Sequence, residues 1–249
     1  MSQDVELSLV IPAYNEQEVI PELLRRVEAA LRVSGKRFEV IIVDDGSTDD
    51  TPRLLQAAMA DRPWLRVLRM ARNVGQSAAF DAGFKAARGQ VIASLDADLQ
   101  NDPEEINRLF PMLDGYDMVT GWRSKRADIA FRRFQTRMAN RIRNWISQET
   151  VQDSASSLKL YKRHCLEGIH LFTGAHRFMP TLVKMRGYSV LETPVKHSPR
   201  FAGSAKYGLR NRAWRAFIDL LGVRWMKQRY LRYDTTEVQH PRNDSIPPS

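Results

Sequence analysis

The stretch "FEVIIVDDGSTDDTP" (38–52) sets the architecture. Val40 to Val43 is an unbroken β-branched apolar run, which reads as a buried strand. Asp44 to Ser47 is then a polar loop, and Thr48 or Asp49 suits a helix N-cap. Upstream, "LSLVIPAY" (7–14) is a similar buried strand. It leads into "EVIPELLRRVEAALRV" (18–33), where Ile20, Leu23, Leu24, Val27 and Leu31 recur at helical period. Downstream, "LRVLRM" (65–70) reads as a third strand and "GQSAAFDAGFKAARG" (75–89) as a helix closed by Gly89. "QVIASLDAD" (90–98) is a fourth strand, "DPEEINRLFPML" (102–113) a helix with Pro103 near its first turn, and "DMVTGWR" (117–123) a fifth strand. Strands alternating with helices through short links predict an α/β fold with a mainly parallel, doubly wound sheet.

The totals fit that fold. The 249 residues are enough for one well-buried domain with an appendage. An apolar fraction of 43% with 9% aromatics belongs to a globular chain rather than a disordered one. Cys165 is the one cysteine, so no intrachain disulfide forms and a reducing compartment is favoured. It is expected to be a small, half-buried apolar residue. The N-terminus has no basic-then-apolar leader, and no apolar run reaches 18 residues, so neither a signal peptide nor a bilayer span is expected. Net charge is +9 but uneven: residues 121–150 carry about +6 and 200–232 about +8, leaving about −5 elsewhere. Local basicity points to an anionic ligand or surface.

In open α/β sheets, ligands bind beyond the carboxyl ends of the strands. Three polar clusters fall there: Tyr14-Asn15-Glu16, Asp44-Asp45-Gly46-Ser47 and Asp96-Ala97-Asp98-Leu99-Gln100. Asp44 reads as a turn former. Two carboxylates one residue apart repel unless compensated, and oxygen donors of this kind suit a hard cation, Mg²⁺ or Mn²⁺, shared with a substrate phosphate. Five scattered histidines argue against a transition-metal site. The chain has no G-x-x-x-x-G-K-[ST], no G-x-G-x-x-G and no G-x-S-x-G, which excludes P-loop hydrolysis, ordinary dinucleotide binding and serine hydrolysis. A metal-bridged nucleotide fits best.

"VIPAYNE" (10–16), "VDDGSTDDT" (43–51), "RNVGQSAAFDAGFKAARG" (72–89) and "LDADLQNDPEE" (95–105) together resemble the family-2, A-type glycosyltransferases. With "VTGWR" (119–123), "RFMPTLVKMRGY" (177–188) and "SPRFAGSAKYG" (198–208), the chain looks like the polyprenyl-phosphate branch that includes dolichyl-phosphate mannose synthase. The resemblance covers roughly residues 5 to 220. It implies a single Rossmann-like domain over 1–207, with a nucleotide-sugar half (1–122) and an acceptor half (123–207). Pro12, Tyr14, Glu16 and Asp45 are then expected around base and ribose, with Gln76 and Ala97 close by. Asp96 contacts ribose or metal, and Asp98 and Gln100 are metal ligands. Arg200 and Lys206 close over the diphosphate. Arg123, Arg132 and Thr136 hold the acceptor phosphate, and Asp98, Arg123 and Arg200 carry the catalysis. The implied reaction is inverting transfer of a sugar from a UDP- or GDP-linked donor to a polyprenyl phosphate. Around Asp153, where relatives carry a small residue, Gly and Phe, this chain departs with "QDSASSLKLYKR". The departure bears on the acceptor or sugar pocket, not on the nucleotide site.

Residues 208–233 place Trp214, Phe217, Ile218, Leu221 and Trp225 in one helical stripe flanked by Arg215, Arg224, Lys227 and Arg229. This is an amphipathic helix suited to an anionic membrane surface, or to packing on the domain or on a separate membrane subunit. The expected location is peripheral, on the cytoplasmic face of a membrane. The tail 234–249 is polar and proline-bearing, as in disordered segments. Two other readings stand beside this one. A family-2 enzyme acting on a sugar hydroxyl would need a carboxylate base near the acceptor, in a region that is rich in arginine. A basic nucleic-acid-binding module would leave the strand-end acids unexplained; no nucleic-acid partner is expected.

Overall fold

The computed structural model describes residues 5–123, 156–199, 201 and 209–231, with the backbone alone at 123 and 209–216. Seven strands form one sheet: β1 (Leu7–Ala13), β2 (Phe38–Asp44), β3 (Leu65–Arg69), β4 (Val91–Ser94), β5 (Met118–Arg123), β6 (Lys159–Lys162) and β7 (Val190–Val195). Their spatial order is β3-β2-β1-β4-β6-β5-β7. All neighbours pair in parallel except at β6, which runs antiparallel to both β4 and β5. The mainly parallel α/β sheet read from the sequence is therefore present.

Helices α1 (Ile20–Val33), α2 (Thr51–Met59), α3 (Gln76–Ala86), α4 (Glu105–Leu109), α5 (Met179–Met185) and α6 (Leu209–Arg229) cover the two faces. Alternating strand residues sort the core. Leu9, Ile11, Val40, Ile42, Ala93, Leu158 and Leu160 pack with Leu23 and Val27 of α1, Leu55 of α2 and Ile106 of α4. Val10, Ile41, Val43 and Ile92 face the other way, onto Ala79 and Phe80 of α3. On that same face Met118 and Tyr161 meet α5 and the inner residues Leu220 and Val223 of α6. A side chain at Gly83 would collide with Val10, so the glycine lets α3 lie directly on β1.

Several boundaries differ from the sequence reading. Helix α3 ends at Ala86, because Ala87 is already extended. Gly89 does not cap it. It is the point where the chain passes against the backbone of Leu7 and Ser8, too close for a Cβ. Helix α4 gives way at Phe110 to a 3₁₀ turn running to Asp114. Asp49 does receive the Thr51 N–H at 2.9 Å, as expected of a cap, although the helical backbone starts one residue later than that position implies. The predicted tail 234–249 lies outside the described residues.

Candidate active site

The site forms where β1, β2 and β4 end. Beyond β1 the backbone turns at Asn15 with φ +53°, a left-handed conformation that asparagine tolerates better than most residues. Asn15 donates its N–H to Ser47 Oγ (2.9 Å) and accepts the Thr48 N–H on its side-chain oxygen (2.8 Å). Glu16 N–H donates to Thr51 Oγ1 at 2.8 Å. The exits of β1 and β2 are thereby fastened to one another. Pro12 is buried within β1, in register with Val43.

At the end of β2 the two adjacent aspartates divide their work. Asp44, fully buried, accepts the Ser47 N–H at 2.9 Å and has Arg69 Nε 3.4 Å from its other oxygen, as a turn former should. Asp45 accepts the N–H groups of Val74 and Gly75, both at 2.8 Å, and the Asn73 amide at 2.9 Å. Its carboxylate thus organises the loop that delivers α3. Gly46, at φ +70°, has the Arg72–Asn73 backbone where a side chain would be, so this contact requires glycine.

Helix α3 begins with Gln76, whose amide donates to Asp96 Oδ1 at 2.6 Å. Asp98 is buried, and one oxygen accepts the Gln100 N–H at 3.2 Å. Between them Leu99 holds φ +57° with its side chain in the core. A leucine there costs about 1–2 kcal/mol, and such strain collects at functional turns. Ala97 also points into the core, so only its main chain is offered to a ligand.

The turn is fastened from two sides. Ser157 Oγ accepts the Asp96 N–H (3.2 Å) and the Asn101 amide (2.9 Å), while its carbonyl accepts Ser94 Oγ (2.7 Å). Ser198 N–H donates to the Gln100 carbonyl at 2.8 Å and Phe201 N–H to that of Asp98 at 3.4 Å. Phe201 in turn lies under Arg26 of α1.

The structure thus gathers Tyr14, Glu16, Asp45, Gln76, Asp96, Asp98 and Gln100 at one edge of the sheet. Arg123 closes β5, with its backbone alone described. Arg132, Thr136, Arg200 and Lys206 lie outside the described residues. Among the described residues no three His, Cys, Asp or Glu side chains cluster as an all-protein metal cage. Two carboxylates and a carboxamide on one turn instead fit a hard cation that completes its shell with ligand oxygens.

Beside Asp96 is a cavity of about 90 Å³, floored by Phe80, Phe84 and Tyr161. Burial of the Tyr161 phenol pushes its pKa well up, so it stays protonated. Lys159 and His176 reach the same cavity, and Ser77 Oγ lies 2.7 Å from His176 Nδ1. Sequence reasoning missed Ser77, Ser157, Lys159 and His176. Lys159 left one trace, a charge between Leu158 and Leu160.

Helix α6 has two apolar faces. Leu220 and Val223 are buried in the core, whereas Phe217, Ile218, Leu221 and Trp225 are 39–58% exposed on the opposite side. The stripe read from the sequence is the outward one, and its Trp214 has no described side chain. No helix of the described residues is long and apolar enough to cross a membrane.

Relatives called undecaprenyl-phosphate 4-deoxy-4-formamido-L-arabinose transferase, from Klebsiella pneumoniae and Pseudomonas fluorescens, are 40% and 41% identical over 204 residues, 81% of this chain. The chain spans about three fifths of their length, 62% and 60%. Among solved structures, a Pyrobaculum calidifontis mannosyltransferase in complex with GDP-Man and Mn²⁺ superposes with TM-score 0.61 at 19% identity, over 92% of this chain and 71% of that one. Mycobacterium tuberculosis glucosyl-3-phosphoglycerate synthase, with Mn²⁺ and UDP-glucose, gives 0.62 at 18%, over 88% and 79%. At those identities the likeness is one of fold. The model of glycosyl transferase family 2 matches residues 8–176, two thirds of the chain, and the protein belongs to that family.

Proposed function

We propose that the protein transfers a sugar, with inversion, from a UDP- or GDP-linked donor to a polyprenyl phosphate, using Mg²⁺ or Mn²⁺. The observation that carries this reading is the Asp96–Gln100 turn, strained at Leu99, tied to Gln76 and Ser157 and open at the carboxyl end of β4. Asp98 and Gln100, with Asp96, would hold the metal. Bound there, it supplies positive charge to the departing diphosphate. Tyr14 and Glu16 border the nucleotide, and Asp45 keeps the Asn73–Gly75 loop against it. Arg200 and Lys206 would neutralise the diphosphate, and Arg123, Arg132 and Thr136 would orient the acceptor.

A phosphate monoester is already largely anionic near neutrality, with its second pKa about 6, so it needs positioning more than a general base. Its oxygen attacks the anomeric carbon opposite the leaving group. The new C–O bond forms as the bond to the nucleoside diphosphate breaks. Relatives named for an undecaprenyl-phosphate acceptor at 40% identity support the acceptor class.

The exposed stripe of α6, with Arg224, Lys227 and Arg229 beside it, would rest on the cytoplasmic surface of the membrane carrying that lipid. The deciding experiment is calorimetric titration of UDP and GDP with Mn²⁺ or with chelator. One nucleotide is expected to bind only with metal, and Asp98→Ala to abolish that binding. Binding unchanged by chelator and by the substitution would refute the reading.

A further inference from the structure

Between residues 200 and 232 the sequence carries nine Arg or Lys and a single acid, Asp219. That acid has a defined place in α6. It stands one turn before the buried Val223, and its carboxylate fills the spot where a side chain on Gly174 would be. Phe217, Ile218, Leu221 and Trp225 face the other way and are exposed. Gly174 holds φ +91°, leads into a 3₁₀ turn over Ala175–Arg177, and donates its N–H to Ser77 Oγ at 3.0 Å. Ser77 Oγ also lies 2.7 Å from His176 Nδ1, and the neighbouring Gln76 donates to Asp96. His176 and Arg177 line the cavity beside Asp96. Ala175, Phe178 and Met179 share one buried cluster with Leu220 and Val223. The inner face of α6 therefore backs the wall of the candidate site.

Two seatings of this helix differ in what they present to a surface. Seated, α6 turns its apolar stripe outward and Asp219 onto Gly174. Lifted from the turn, it would bring the same carboxylate toward whatever the stripe rests on. A negatively charged surface repels that carboxylate, while it attracts the cations of the segment in either seating. Such a surface therefore favours the seated helix. A second copy of the chain is a poorer occupant of the stripe, because two segments this basic repel each other.

We propose that an anionic membrane surface and the metal-bound nucleotide reinforce one another through α6, with Asp219 against Gly174 as the key between them. The inference rests on the nucleotide-sugar and membrane readings above and adds a regulation: donor binding strengthens where the lipid acceptor resides. By linkage the effect runs both ways, so a bound nucleotide strengthens the hold on the surface by the same factor.

The test is calorimetry of UDP and GDP with Mn²⁺, free metal held equal, in buffer, with phosphatidylcholine vesicles, and with vesicles that also contain phosphatidylglycerol. The anionic vesicles are expected to tighten binding of the accepted nucleotide about fivefold, the worth of one charge at such a surface, and the neutral ones to leave it unchanged. The gain should fade as added salt screens the surface. Asp219→Asn keeps the shape of the side chain and removes its charge, so it should still sediment with anionic vesicles and lose the gain. Gly174→Ala should lose the gain as well, because its methyl group displaces the carboxylate. Sedimentation with no change in nucleotide affinity overturns the coupling and leaves the membrane contact and the nucleotide site standing. So does an Asp219→Asn variant that keeps the full gain. Failure to sediment with anionic vesicles overturns the membrane reading, and failure to bind either nucleotide overturns the nucleotide-sugar reading; the inference falls with either.

Discussion

Asp45 illustrates how one carboxylate replaces a set of packing contacts. Both its oxygens act only as acceptors, toward Asn73, Val74 and Gly75. Asp45→Asn places an amide N–H against a backbone N–H, and losing such a buried arrangement costs about 1–3 kcal/mol. The expected result is faster hydrogen exchange at Val74 and Gly75 together with weaker nucleotide binding. Exchange unchanged at those amides would show that the loop is held by something else. Gly46 gives a second test. Alanine there must adopt φ +70° and displace Arg72 and Asn73, so Gly46→Ala should destabilise by about 1–3 kcal/mol, read in a urea titration. These residues were legible as strand-end polar clusters, and their partners were not. Sequence shows that Asp45 ends a strand, but not that a loop some thirty residues later fits over it.

Among the elements, α6 separates folding from docking. Leu220→Ala is expected to cost about 2–4 kcal/mol, because Leu220 fills the core against α5. Leu221→Ser with Trp225→Ser removes the outward stripe, should shift stability by less than about 0.5 kcal/mol per site, and should abolish sedimentation with vesicles containing anionic lipid. Retained sedimentation would eliminate the stripe as the membrane contact. The periodic runs made β1 to β5 and α1 to α3 readable. The neighbours of β5 and the existence of β7 were not, because β6 inserts antiparallel between β4 and β5 and that pairing is set by contacts far apart in the chain. The α6 stripe was visible as a pattern, but the pattern alone does not say which of two apolar faces turns inward.

Across the whole molecule, the sheet carries its chemistry at one end and a charged clasp near the other. Glu39, 4% exposed, accepts Ser8 Oγ (2.6 Å), the Arg88 N–H (2.7 Å) and Arg66 Nη1 (2.6 Å). Burial works to raise its pKa, and those three partners with the Arg66 charge outweigh it, so the group titrates below its ordinary value. A depressed folded-state pKa gives stability that is full above the unfolded value and is lost as pH falls through the folded one. Stability in urea should therefore decline on the acid side, and Glu39→Gln should flatten that slope while lowering stability near neutrality by about 2 kcal/mol. An unchanged slope would remove Glu39 from the acid response. Cys165 offers a different kind of readout. It is fully buried, its Sγ donates to the Asp117 carbonyl at 3.2 Å, and burial, aided by the Asp117 charge, pushes the thiol up to about 12. As the chain's single thiol, it works as a clock: a maleimide pulse tags a molecule only while the core between β5, α5 and α6 stands open, so the tagged fraction times that opening with the natural sequence intact.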